Sequence, residues 1–344
     1  MKFDYAIGNP PYQAEISESS GNKTYSAPVY NFFLDEAFKV ADKVEMIHPA
    51  RFLFNAGSTP KAWNKKMLSD PHFKVMYYVS DSSSVFPATD IMGGVAISYH
   101  DKDENFGAIE VFVANPVLRS ILNKVHVSNA IGLSSIAISG YAYHFTQKLH
   151  DEHPEAKKLL STGHAYDLKS NVFEKLPMIF HDVKPNDGQD YAHIFGRVKD
   201  GRATKYILQK YIAPANNYWK YKIFVPSANG AKELGATGTM IEGKPQDGST
   251  ETFMSIGGFE TEVEAKSALK YMSGKFARAL FGILKITQHI TPETWKYVPL
   301  QDFTSNSDIN WSASIRDIDQ QLYKKYGLSQ QEIDFIESHV KEMA

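Results

Sequence analysis

The sequence predicts an α/β chain: a mostly parallel sheet in its first part, then a mixed, strand-rich second part. Two observations carry this. Over residues 3–99, short apolar and β-branched runs alternate with segments whose apolar residues recur at helical spacing. From about residue 150 onward, strand-like runs are separated by turn residues, and two helical stretches close the chain. The 344 residues are enough for roughly two domains, and 43% hydrophobic with 22% charged residues supports sizeable cores.

In order, residues 3–8 read as a strand ending at Gly8, and 29–41 as a helix. A strand at 44–48, a helix at 59–68 and strands at 73–79 and 94–99 follow. Helices expected at 116–124 and 138–150 lead to a boundary near 150, giving domains 1–150 and 151–344. The second part predicts strands at 178–181, 193–198, 204–208 and 220–225, with turns at Lys199-Asp200-Gly201 and Asn229-Gly230. Residues 261–284 predict one long helix, opened by Thr261 with Glu264 as a capping box and lined by Ala265, Leu269, Met272, Phe276, Leu280 and Ile283. A last helix is expected to open at Ser329, with Glu332 completing its box.

The absence of cysteine excludes disulfides, thiolate metal sites, iron–sulfur clusters and a cysteine nucleophile. No apolar run approaches the roughly 18 residues of a membrane span, and the start has no signal-peptide pattern, so a soluble, cytoplasmic protein is expected. With 37 basic and 39 acidic side chains, only a local basic face could meet nucleic acid. Asp302, Asp308 and Asp319 read as caps and solvated acids, and no metal is expected.

The chemistry is concentrated in Asn9-Pro10-Pro11-Tyr12, directly after the first strand. Two prolines fix φ and remove two donors, so a stiff loop presents its carbonyls at the carboxyl edge of the sheet, where open α/β sheets bind ligands. An amino nitrogen conjugated to a ring is a poor nucleophile. If the Asn9 side-chain oxygen and the Pro10 carbonyl both accept its N–H groups, its lone pair is pushed toward a methyl donor, and Tyr12 can stack on the planar group. No charged base or metal is needed.

This loop resembles motif IV of S-adenosylmethionine-dependent amino methyltransferases, which act on DNA adenine, RNA guanine or protein glutamine. The run 84–91, before the strand at 94–99, is similar to the motif VIII loop of the DNA adenine enzymes; the resemblance makes Phe86 the ring packed on the flipped base opposite Tyr12. Residues 47–53 are similar to their motif VI. Over nearly its whole length the chain resembles the C-terminal half of Eco57I-like, type IIG restriction-modification methylases. That resemblance implies the second half of a Rossmann-like methyltransferase sheet, then a mixed α+β target-recognition domain with C-terminal helices. It implies S-adenosylmethionine as cofactor, double-stranded DNA as partner and adenine-N6 methylation as the activity. A DNA-binding specificity module without catalysis, and an RNA or protein amino methyltransferase, are the alternatives.

DNA is also suggested by residues 195–222, where Arg197, Lys199, Arg202, Lys205, Lys210, Lys220 and Lys222 face one acid, Asp200, amid six aromatics. The family's upstream donor-binding loop has no counterpart: Gly235–Gly238 and Gly257-Gly258 read as turns, and no cofactor-binding residue is identified. The sheet is expected to lack strands and to present an open edge. The missing half is then a separate polypeptide, or the chain is a shortened product or fragment.

Overall fold

The computed structural model describes residues 2–16, 25–87, 89, 91–126, 131–231, 233–285 and 288–343. Two compact units follow one another, 1–114 and 115–344. Unit 1 contains β1 (Phe3–Gly8), β2 (Gln13–Ile16), β3 (Tyr25–Pro28), α1 (Tyr30–Val40), β4 (Ala41–Pro49), α2 (Lys61–Ser69), β5 (Phe73–Val79) and β6 (Val95–Asp101). Its main sheet has the order β1-β4-β6-β5. β1 runs parallel to β4, with Gly8 opposite Met46, whereas β6 is antiparallel to both β4 and β5. The expectation of a mostly parallel sheet is therefore corrected to a mixed one. Between β5 and β6 the described residues form turns and no crossover helix, and such a link joins antiparallel neighbours.

A core of Tyr30, Leu34, Phe52, Trp63, Met67 and Phe73 seats the helices on this sheet. Two glycines at the start of β6 are dictated by backbone geometry. Gly94 has φ +78°, and a Cβ there would lie 2.1 Å from the Val79 carbonyl oxygen. Among the described residues, the main-sheet edge of β1 away from β4 has no strand beside it. Phe3, Tyr5 and Ile7, alternate residues on one face, are 52%, 61% and 77% exposed.

Unit 2 contains α3 (Pro116–His126), β7 (Ala137–Ile138), β8 (His144–Phe145), α4 (Gln147–Glu152), α5 (Ala156–Leu159), α6 (Val172–Lys175), β9 (Tyr191–Val198), β10 (Gly201–Leu208), β11 (Ile212–Ala213), β12 (Tyr221–Pro226), β13 (Ile241–Gly243), β14 (Asp247–Ser249), β15 (Phe253–Phe259), α7 (Glu262–Ser273), α8 (Lys275–Leu284), α9 (Ile315–Lys325) and α10 (Gln330–His339). Its sheets run β13-β12-β15-β7 and β10-β9-β14, with β8 and β11 as a separate pair. The division falls at residue 115 rather than near 150 because tertiary contacts hold 115–150 in the second unit. Ser120 and Lys124 of α3 donate to the Glu332 carboxylate at 2.7 and 2.6 Å, and β7 pairs with β15.

Two helical expectations fail for local reasons. Residues 138–146 hold strand ends and one short 3-10 turn at Gly140–Ala142, and the α-helix begins only at Gln147. The run Tyr-Ala-Tyr-His-Phe suits paired extended backbone, and β8 pairs with β11. The stretch 261–284 breaks at Gly274, whose ψ of 155° is extended. Asp319 fills the break: its carboxylate accepts the N–H groups of Lys275 and Phe276 at 2.8 and 3.1 Å, and a Cβ on Gly274 would lie 2.6 Å from it. Asp319 is thus a buried cap, not a solvated acid, and burial lifts its carboxyl to about 6. Residues 178–181 form no strand, only a bridge from His181 to Tyr206. Both N-terminal capping residues do act: Thr261 accepts from the Glu264 N–H, and Ser329 with Glu332 forms a reciprocal box.

Candidate functional site

β1 delivers Asn9 to the carboxyl edge of the unit 1 sheet. Pro10 is buried, Asn9 and Pro11 are exposed, and Tyr12 is half-buried. The chain then turns back along β2, and the Tyr12 carbonyl accepts the Val29 N–H at 3.2 Å, tying the loop to the start of α1. The Asn9 amide has no partner among the described residues. Beside the loop lies a cavity of about 240 Å³, lined by Tyr12, Gln13, Tyr30, Pro49, Arg51 and Thr59 among others. Pro49 and Arg51 come from the end of β4 and the turn after it, so parallel pairing of β1 with β4 brings the two carboxyl ends together.

Behind Tyr30 and Pro49 of the cavity wall lies a buried, tightly packed layer. His48 is fully buried, its Nε2 2.8 Å from Ser98 Oγ and its ring stacked on Tyr30 at 5.8 Å. Burial drives the imidazole down to about 4, so it is neutral at pH 7, and pushes the Tyr30 hydroxyl up to about 12. The Tyr12 hydroxyl is shielded from water, has no hydrogen-bond partner among the described residues, and is raised by the same desolvation.

Phe86 sits beside Tyr12. Ser82 organises its loop: the Ser82 carbonyl accepts the Phe86 N–H at 2.8 Å, while its hydroxyl accepts from the Ile91 N–H at 2.7 Å and donates to the Thr89 carbonyl at 2.9 Å. Ala88 and Asp90 of the same run lie outside the described residues. The Tyr12 and Phe86 rings meet edge to face, with centroids 6.4 Å apart and planes at 71°. No open slot of stacking width separates them, so the two rings need to turn before a flat group fits between them.

The fold distributes the seven expected DNA-facing cations unequally. Arg197 and Arg202 are register partners near the tip of the β9–β10 hairpin and, with Lys199 in its turn, are exposed. Arg202 also donates to the Thr239 carbonyl and lies over the Phe253 ring. Lys205, Lys210 and Lys220 are engaged by Asp182, Glu152 and Glu260. Lys222 is contradicted as a DNA contact. It is fully buried, and its ammonium donates to the carbonyls of Tyr218, Lys244 and Asp247 at 3.1, 2.9 and 3.0 Å. Burial brings it down to about 8. Lys222 lies on β12, which is buried on both faces from Lys222 onward, whereas Lys220 precedes the strand and is paired to Glu260 nearer the surface. Of the six aromatics in that stretch, Tyr211 and Tyr218 are core, while Trp219 is 57% exposed.

Tyr30 and Thr59, which line the cavity, were not singled out from sequence. The available signal was parallel pairing of β1 with β4, which places whatever follows β4 beside whatever follows β1.

Residues 1–86 match the profile of the Eco57I restriction-modification methylases. An uncharacterized adenine-specific methylase of Mycoplasma pneumoniae is 33% identical over 97 residues, which are 28% of this chain and 22% of that protein. Among solved structures, the type IIG restriction endonuclease BpuSI aligns over 92% of this chain and 48% of its own, with 10% identity and a TM-score of 0.34. The chain therefore spans about a fifth of the curated relative and about half of the solved one. In the described residues no helix is long and apolar enough to cross a membrane. The segment carrying the Asn9–Tyr12 loop and reaching Phe86 is the one that is similar to the Eco57I restriction-modification methylases.

Proposed function

We propose that this chain supplies the base-binding loop and the DNA recognition surface for site-specific adenine-N6 methylation in a restriction-modification system. The observation that carries this is the Asn9-Pro10-Pro11-Tyr12 loop, stiffened by two prolines and with an exposed Asn9 amide that has no partner among the described residues, beside a cavity lined by Tyr12, Tyr30 and Arg51. In this reading the Asn9 side-chain oxygen and the Pro10 carbonyl accept the two N–H groups of a flipped adenine's amino nitrogen. Tyr12 and Phe86 separate to take the ring between them, and Pro11 keeps the loop rigid. This chain's part would be to hold the amino nitrogen with its lone pair turned out of the ring and toward a methyl donor, and on methylation the nitrogen would shed one proton to solvent. The neutral His48 takes no part in that proton transfer.

S-adenosylmethionine supplies the electrophilic methyl in this reaction class. Among the described residues, no strand leads through a glycine-rich loop into a helix that would hold it: Gly235 and Gly238 lie in irregular chain, and Gly257-Gly258 lie inside β15. We therefore assign no donor-binding residue among the described residues and propose that the donor-binding half comes from outside them, whether from a partner polypeptide or from another part of the same protein. The open edge of β1, with Phe3, Tyr5 and Ile7 exposed, supports this. The exposed Arg197, Lys199 and Arg202 of unit 2 are the proposed phosphate contacts, with Lys205, Lys210 and Lys220 secondary. A cytoplasmic setting follows from this reading. The lack of a donor loop among the described residues favours a second reading, a specificity module that binds DNA without methylating it.

Transfer of tritiated methyl to duplex DNA, with the donor-binding half present, tests the assignment. Asn9→Ala is expected to lower the rate about 100-fold and leave the duplex Kd within about twofold. Turnover by the variant equal to that of the native chain would contradict it.

A further inference from the structure

Arg51 follows β4 by two residues and stands at the wall of the cavity that Tyr12 also lines. Its stem is boxed by two glycines in left-handed backbone. A Cβ at Gly93, φ +89°, would come within 2.8 Å of the Arg51 Cγ, and one at Gly57, φ +81°, within 3.2 Å of its Cβ and Cδ. The Arg51 Nε–H donates to the Met92 carbonyl, and the Arg51 carbonyl accepts the Ala56 N–H at 3.1 Å. The stem and Nε are thus fixed. The two terminal nitrogens have no partner among the described residues, so the guanidinium fork is held beside the cavity with no carboxylate of the described residues on it.

From this geometry we propose that Arg51 grips a phosphodiester of the target strand next to the nucleotide whose base enters the cavity. A base that leaves the stack takes its backbone with it, and a fixed fork on the adjoining phosphate holds that distorted strand in register. The assignment deepens the reading of the Asn9 loop as an adenine site and rests on it. Arg51 here binds the backbone of the target strand and takes no part in the methyl transfer itself.

A short duplex with one bulged adenine is the probe, titrated with the full chain in the absence of S-adenosylmethionine, so that a donor carboxylate cannot answer for the effect. Each of the two phosphates flanking the bulge is replaced in turn by a neutral methylphosphonate. One replacement is expected to weaken native binding about tenfold and to lower the salt slope by about one. Arg51→Gln is expected to show the same loss, with no further loss on that neutral DNA. Losses that add, as they would if Arg51 only latched residues 91–94, overturn the assignment. If Arg51→Gln does not fold, the neutral-phosphate series with the native chain decides alone, and indifference to both replacements overturns it. A chain that still prefers the bulged adenine but ignores both phosphates sinks only the Arg51 assignment. A chain that does not bind the probe sinks the adenine reading with it.

Discussion

The Asn9–Tyr12 loop and the basic stretch 195–222 looked equally explicit as sequence, yet folding treated them differently. The loop survives as a unit, because two prolines and one β-strand end fix it through bonds along the chain. The cations are dispersed. The hairpin carries Arg197, Lys199 and Arg202 outward, local acids pair three lysines, and a strand buried on both faces sets Lys222 against three carbonyls. A motif held by backbone geometry can be carried from sequence to surface, whereas a charge count cannot.

The largest expected effect on this contrast comes from Lys222. Lys222→Met removes three hydrogen bonds from buried carbonyls and is expected to cost unit 2 about 3 kcal/mol, read by denaturant unfolding. Binding per folded molecule should stay unchanged; a stable variant with weakened DNA binding would restore Lys222 to the DNA face.

Acid should separate the two units. His48 is held at about 4 when folded against 6.5 when free, so the unfolded chain takes up the proton first and stability is lost as pH falls from about 6.5 through 4. The loss approaches about 3 kcal/mol in unit 1. Asp319 has the opposite sign: its folded value near 6 lies above 3.8, so its protonation favours the native state of unit 2 as pH falls through 6. Hydrogen exchange corrected for intrinsic rates should show β4 and β6 loosening over this range before α8 and α9. Simultaneous loosening would break the contrast, and His48→Gln should remove most of the unit 1 response.

The smallest effect concerns the hairpin. Neutralising Arg197 and Lys199 together should lower the slope of log affinity against log salt by about two. Lys210→Gln or Lys220→Gln, each already paired to a carboxylate, should change it by less than one. Equal slopes across these variants would mean that pairing with Glu152 and Glu260 does not withdraw those lysines from DNA.

Local order was legible in the sequence where bonded geometry decides. Strands at 73–79 and 193–198, the Lys199–Gly201 turn and the Ser329 cap all reflect residue type and spacing. What needed a distant partner was not. The break at Gly274 depends on Asp319, forty-five residues on; the place of α3 in unit 2 depends on Glu332; the inward turn of Lys222 depends on carbonyls from two other segments. At the site, Asn9, Pro10, Pro11 and Tyr12 were readable, whereas Tyr30 and Thr59 joined the cavity through tertiary packing.

The most direct measurement is the N6-methyladenine content of genomic DNA, mapped by sequence context, in host cells carrying the native gene or its Asn9→Ala allele, where any partner half is present. The account predicts one methylated context that disappears in the Asn9→Ala strain. An unchanged adenine methylation map would contradict it.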